Sequence, residues 1–307
     1  MSGTPISHPS DNVPLGVVTI IGTVLALSLG DALIKSLGGQ GGMGLWQLFA
    51  LRSLLAFPVL LGASLLFVRP RRLAPRSVKW IAIRSLLLTL MWITYYVALP
   101  LIPLGVAAAA YYTLPLFIVI FAALIGRESV GQSQWGGVAL GFIGVLLILR
   151  PLGEAFVWAA LLPIVSAILY ALAMILTRTR CRHEHPATLA LGLNATFIVV
   201  GLAGLLWGWA FKNEAIGLLS PQWISMTQED WGTTAILAIL ILAASVGTAL
   251  AYQVAPASTI GTFDFAYVGF ALIWGVIFFQ EQPDGWSLLG IALIVIAGVL
   301  AVRRSGE

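Results

Sequence analysis

The sequence is short of charge. Among 307 residues, twelve acidic and sixteen basic side chains make up 9%, against roughly 25% in an ordinary soluble domain. Apolar residues reach 60% and mean hydropathy is +1.00. Too few charged side chains remain to cover a water-facing surface, which excludes a soluble enzyme with an appended anchor. Cysteine is nearly absent: with Cys181 alone, neither an intramolecular disulfide framework nor a Cys-x-x-Cys metal site can form. Histidine is limited to His8, His183 and His185, all in segments between or outside apolar runs, and His183–His185 reads as a solvated linker. Clustered Asp for Mg2+, His with carboxylates for zinc, and a nucleophile beside a base are all missing. An intramembrane enzyme is therefore disfavoured, and neither a metal nor a cofactor is expected. The first dozen residues, MSGTPISHPSDN, lack a basic n-region, so the first apolar stretch is expected to be a retained helix. The net charge of +4 does not indicate nucleic acid, because the basic residues lie in short runs between apolar segments.

Those apolar segments are what the chain has in abundance. Ten membrane-spanning helices are expected: Leu15–Leu37, Leu45–Val68, Trp80–Leu101, Leu104–Ile125, Trp135–Leu149, Phe156–Leu176, Ala187–Phe211, Gly232–Val254, Ile260–Phe279 and Trp286–Val302. With the N-terminus inside, the cytoplasmic side receives Arg69, Arg71, Arg72, Arg76, Lys79, Arg127, Arg178, Arg180, Arg182, Arg303 and Arg304, against Arg150 and Lys212 outside. That asymmetry predicts cytoplasmic termini in a cell (inner) membrane. Glu214, Glu229 and Asp230 fall in the longest expected outer loop, and most tryptophans lie near span ends, where aromatic belts form. Trp92 and Trp274 lie well inside their spans, as packing or cavity-lining residues.

An internal repeat is legible. YVALPLIPLGVAAAAYYTL, from Tyr96, runs against YQVAPASTIGTFDFAYVGF, from Tyr252, pairing Tyr96 with Tyr252, Pro100 with Pro256, Gly105 with Gly261, Ala110 with Ala266 and Tyr111 with Tyr267. Paired Pro and Gly at one short turn are more specific than matched leucines. Five spans per repeat is an odd number, so the second half enters the membrane in the opposite orientation. The fold class expected is an all-α integral membrane protein of ten transmembrane helices, arranged as two inverted five-helix repeats.

GDALIK at 30–35, LRS at 51–53, IPLGVAAAAYYTLPLFIVIFAALIGRE ending at Glu128, GFIGVLLILRP ending at Pro151 and FDFAYVGFALIWGVIFFQE ending at Glu281 together resemble the EamA-type branch of the drug/metabolite transporter superfamily. The resemblance covers nearly the whole chain: a tail over 1–14, one EamA-like unit over 15–151, a second over 156–302 and a tail over 303–307. It implies a central substrate cavity between the repeats and movement of a small metabolite such as an amino acid, a vitamin or a nucleotide-like compound. The expected function is a secondary transporter working by alternating access, not an enzyme. The competing readings are a channel or a non-catalytic membrane subunit. The expected partners are a small-molecule substrate, the lipid bilayer and, as a coupling ion, protons, in a monomer or homodimer.

Five charges fall within spans, where burial is costly. Asp31 and Lys35 stand four apart on the first helix and share a face, within reach of Arg52 on the second; they read as a compensated group. Arg84 lies little more than a turn inside the third helix and reads as snorkelling to the cytoplasmic headgroups. Asp264, with no basic residue within a turn, lies near the start of the ninth helix. It is a helix-start cap, or else a cavity residue that carries a proton or meets a substrate ammonium. All seven tyrosines are intramembrane, where a hydroxyl needs a partner. Tyr96, Tyr112, Tyr252 and Tyr267 are expected to line the cavity with Asp264, Trp92 and Trp274, helix packing being the alternative.

Overall fold

In the computed structural model the described residues are 12–37, 43–68, 70–99, 101, 107, 110–126, 130–149, 158–211, 220, 222–280 and parts of 285–297. All regular structure among them is helical: α1 Val13–Leu37, α2 Leu45–Phe67, α3 Val78–Ala98, α4 Leu114–Leu124, α5 Gln132–Leu149, α6 Leu161–Thr179, α7 Pro186–Phe211, α8 Gln228–Val254 and α9 Ala257–Phe279. A helical turn, Pro70–Leu73, precedes α3. Seven of these helices, α1, α2, α3, α6, α7, α8 and α9, are long and apolar enough to cross a membrane. The first turns of the expected fourth span, the expected tenth span, Arg150, Lys212, Glu214, and the terminal tails lie wholly or partly outside the described residues.

Burial is inverted relative to a soluble protein. Gln47, Ser53, Ser85, Thr89 and Asn194 are fully buried, whereas Leu66 and Phe67 are 81% and 86% exposed. Hydrocarbon solvates the apolar exterior, and polar side chains gather inside.

Most of the larger helix contacts have a mate. Helix α1 packs on α8 as α6 packs on α3, α1 on α9 as α6 on α4, and α8 on α2 as α3 on α7, while α2 meets α7 and α4 meets α9. Two structurally similar halves produce this pattern. The pair α2 and α7 runs antiparallel: Trp46 faces Gly204, Ala50 faces Gly201, and Leu60 clusters with Ala187 and Ala190. Glycine is what permits the approach. A Cβ on Gly201 would lie 2.7 Å from both the Ala50 nitrogen and the Trp46 oxygen, and backbone cannot yield as a side chain does.

Helices break in both halves. In α9 the pieces Ala257–Phe263 and Ala266–Phe279 are joined by a turn at Asp264 and Phe265, closed by Tyr267 N–H to Asp264 O at 3.1 Å and Val268 N–H to Phe265 O at 3.0 Å. In the first half the chain turns at Tyr112 and Thr113 before α4, with Thr113 N–H to Ala110 O at 3.3 Å. These tight bonds redirect the axis while keeping the backbone satisfied.

Three local expectations are corrected. The eighth helix starts at Gln228 rather than Gly232, because Thr227 and Asp230 form a reciprocal capping box, which puts Glu229 and Asp230 in the first turn instead of the loop. The ninth starts at Ala257, so Asp264 stands at its internal break and not near its start. The His183–His185 segment, read as a solvated linker, is a brace: Glu184 is 5% exposed and accepts from the Arg76 N–H at 3.0 Å and the Ser77 N–H at 2.8 Å. Its carboxylate meets the unpaired amides at the start of α3. Gln253 of α8 secures the same segment, donating to the carbonyls of Cys181 and Glu184 at 2.7 Å each.

Candidate functional site: a tyrosine-lined cavity

Helix α3 carries Arg84, Leu88, Met91, Trp92 and Tyr95 along one stripe, at the three- and four-residue spacing that keeps side chains on a single face. That stripe forms one wall of a buried cavity. Val24, Leu27 and Asp31 of α1, Ser245 and Thr248 of α8, and Asp264 and Tyr267 at the α9 break form the others, with Tyr111, Tyr112, Tyr170 and Leu193 completing it. Both halves contribute, and the cavity lies beside both helix breaks.

Two carboxylates are held in the wall by tyrosines. Asp31, 4% exposed, accepts from the Tyr96 hydroxyl at 3.2 Å and from the Tyr267 hydroxyl on its other oxygen. Tyr96 belongs to α3 and Tyr267 to α9, so Asp31 joins the two halves. Asp264, 1% exposed, accepts from Tyr252, and among the described residues no cation is close enough to act on its charge. Its carboxylate is engaged by a neighbouring helix, not by the amides of its own, so the helix-cap reading is replaced by this contact. Tyr112 stacks on Tyr267 with centroids 4.9 Å apart and an interplanar angle of 26°. Tyr170 lies edge-on to Tyr111 and Tyr252, at 6.3 and 6.4 Å.

Of the residues singled out from sequence, Asp31, Trp92, Tyr112, Asp264 and Tyr267 reach the cavity wall. Tyr96 and Tyr252, both fully buried, sit one layer behind, holding the two carboxylates. Trp274 is not on the wall; its indole N–H donates to Ser28 Oγ at 3.0 Å. Arg52, 2% exposed, is the cation that acts on Asp31, while the Lys35 ammonium lies 4.3 Å from the ring centroid of Phe279. Arg84 does not snorkel. It is 1% exposed, turns inward to the cavity, and donates from Nε to Thr177 Oγ1 at 2.6 Å. Tyr95, Tyr111, Tyr170, Ser245 and Thr248 are wall residues that sequence reading did not select. Spacing from Arg84 and Trp92 along α3 would have pointed to Tyr95; the others are gathered by contacts between helices.

Long apolar helices and an inverted pattern of burial, around an aromatic-walled cavity with a few polar groups, define a multi-pass membrane protein. The chain belongs to the EamA-like transporter family, whose model matches residues 14–150 and 157–303. It is 31% identical over 232 residues to a protein named riboflavin transporter from Rhizobium johnstonii, covering 73% of this chain and 70% of that one. A riboflavin transporter from Vibrio cholerae is 30% identical over 203 residues, covering 64% and 61%. A pseudopaline exporter from Pseudomonas aeruginosa is 22% identical over 248 residues, covering 79% and 83%. A crystal structure at 19% identity shares the fold, with a TM-score of 0.73 over 96% of this chain and 98% of that one. The protein is a small-metabolite transporter, and transporters of this kind are not enzymes.

Proposed function

We propose that this chain is a secondary transporter that works by alternating access, with the tyrosine-lined cavity as its substrate site. The observation that carries this reading is Asp31, which accepts from Tyr96 of one half and Tyr267 of the other at the cavity wall. A hydrogen-bonded junction between two halves is a contact that must be remade when they rock against each other. Antiparallel packing of α2 on α7 supports two oppositely oriented repeats, over 15–151 and 156–302, whose exchange of conformations opens the cavity to one side and then the other. Aromatic walls with a few polar groups suit a small organic molecule with a planar body. Riboflavin is the first substrate to test, given the names of the relatives near 30% identity. Asp264 supplies proton coupling or cation recognition.

The test is flux of riboflavin, with an amino acid and a nucleoside as comparators, in proteoliposomes across a pH series with and without a proton gradient. Saturable uptake accelerated by substrate on the far side is expected; unsaturable flux without such exchange would indicate a channel. Asp264→Asn keeps shape and hydrogen bonding while removing the charge. It should abolish the response to the gradient or weaken substrate affinity. Unchanged flux, affinity and pH response would remove Asp264 from the site.

A further inference from the structure

Arg84 is a charge the fold does not use. Its guanidinium is 1% exposed, yet among the described residues NH1 and NH2 have no hydrogen-bond partner. The neighbours that act on its charge are Cys181 and Tyr170; neither is a carboxylate. Burial of an uncompensated cation is destabilising, and a methionine or leucine would fill the same space without that penalty. The side chain is nonetheless held firmly. Nε donates to Thr177 Oγ1 at 2.6 Å, and that hydroxyl donates in turn to Ala173 O at 2.8 Å. Anchoring at Nε orients the guanidinium plane and leaves NH1 and NH2 without a partner among the described residues, on a side chain that lines the cavity.

We infer that Arg84 is a substrate-binding residue whose free NH1 and NH2 groups grip a pair of coplanar acceptor atoms on the transported molecule. Guanidinium is suited to this because its parallel N–H bonds match a carboxylate, or the adjacent oxygen and nitrogen acceptors along the edge of a heteroaromatic ring. Asp264 lies on the same cavity wall, and among the described residues no cation compensates it. The site is thus dipolar: acceptors of the substrate turn to Arg84, donors to Asp264, and a planar body lies among Tyr112, Tyr170 and Tyr267. This inference rests on the cavity being the substrate site.

The test uses the full chain purified in detergent, with Arg84→Met, which removes the charge, and Arg84→Lys, which keeps the charge and loses the fork. Thermal unfolding is read first. A guanidinium kept for substrate predicts that Arg84→Met unfolds at the same or a higher temperature than wild type; a clear fall would make Arg84 a structural residue and overturn the inference. Binding is then measured with riboflavin, L-tryptophan and tryptamine. Riboflavin carries a heteroaromatic acceptor edge, tryptophan a carboxylate, and tryptamine neither. Both variants should weaken whichever of the first two binds by about tenfold or more and leave tryptamine unchanged, and the ligand affected identifies the source of the acceptor pair. Wild-type affinity in both variants overturns the role. If none of the three binds wild type, the choice of substrate made above falls, while the unfolding temperatures still decide whether Arg84 serves the fold.

Discussion

Arg52 lies between two rings, its guanidinium 5.6 Å from the Phe49 centroid and 5.0 Å from that of Phe197, and Tyr96 interacts with both Arg52 and Asp31. Cation–π contacts with the two rings offset part of the cost of burying it. The carboxylate it faces then becomes the unpaired charge if Arg52 is removed. Arg52→Met alone is expected to destabilise by about 3 kcal/mol, and Arg52→Met with Asp31→Asn by less, since the second change removes the stranded anion. Lys35, on Phe279, should behave differently: Lys35→Met and Asp31→Asn should add to within about 0.5 kcal/mol. A double-mutant cycle on thermal unfolding in detergent separates the two cases. Stronger coupling to Lys35 than to Arg52 would reverse the assignment made here.

At the scale of elements, the fold depends on close helix approach and on braced helix starts. Gly201→Ala would drive a Cβ into the backbone of α2 at 2.7 Å, whereas Gly62→Ala would meet nothing within 4 Å. The first is expected to cost about 2 kcal/mol or more through forced separation of α2 and α7, and the second to be neutral or slightly stabilising, as alanine is in a helix interior. Thermal unfolding of the two variants side by side is the measurement, and equal stabilities would mean that the α2–α7 contact is loose. The Glu184 brace makes a separate prediction. Glu184→Gln keeps one acceptor oxygen for two amides and removes the charge at the start of α3, at a cost of about 1 kcal/mol. Hydrogen exchange at Arg76 and Ser77 should rise in step. Unaltered protection there would show that the carboxylate does not hold the α3 start.

At the scale of the molecule, the loop-charge asymmetry in the sequence predicts that Ser305 faces the cytoplasm. A cysteine introduced at Ser305 should resist an impermeant thiol reagent applied outside intact cells and react after permeabilisation. The native background is low, because Cys181 is buried and burial pushes its thiol up to about 11. Labelling from outside would invert the topology.

Membrane residence and helical class were determined by the sequence alone. Charge at 9% cannot clothe a water-facing surface, and apolar runs of about 20 residues satisfy their own backbone only as helices. The repeat was legible for a similar local reason: paired Pro and Gly mark one turn in each half whatever surrounds them. Helix starts at Gln228 and Ala257 were missed because capping and internal breaks are set by one or two side chains that apolar periodicity does not register. Which groups pair inside was decided only by tertiary structure. The donors to Asp31 lie 65 and 236 residues away, and Arg84 finds Thr177 across 93. Packing of α1 antiparallel to α8 and parallel to α9, and of α3 antiparallel to α6, brought the tyrosines and Thr177 within reach. A buried charge takes the partner that packing puts within hydrogen-bond reach, and that distance is a property of the assembled helices.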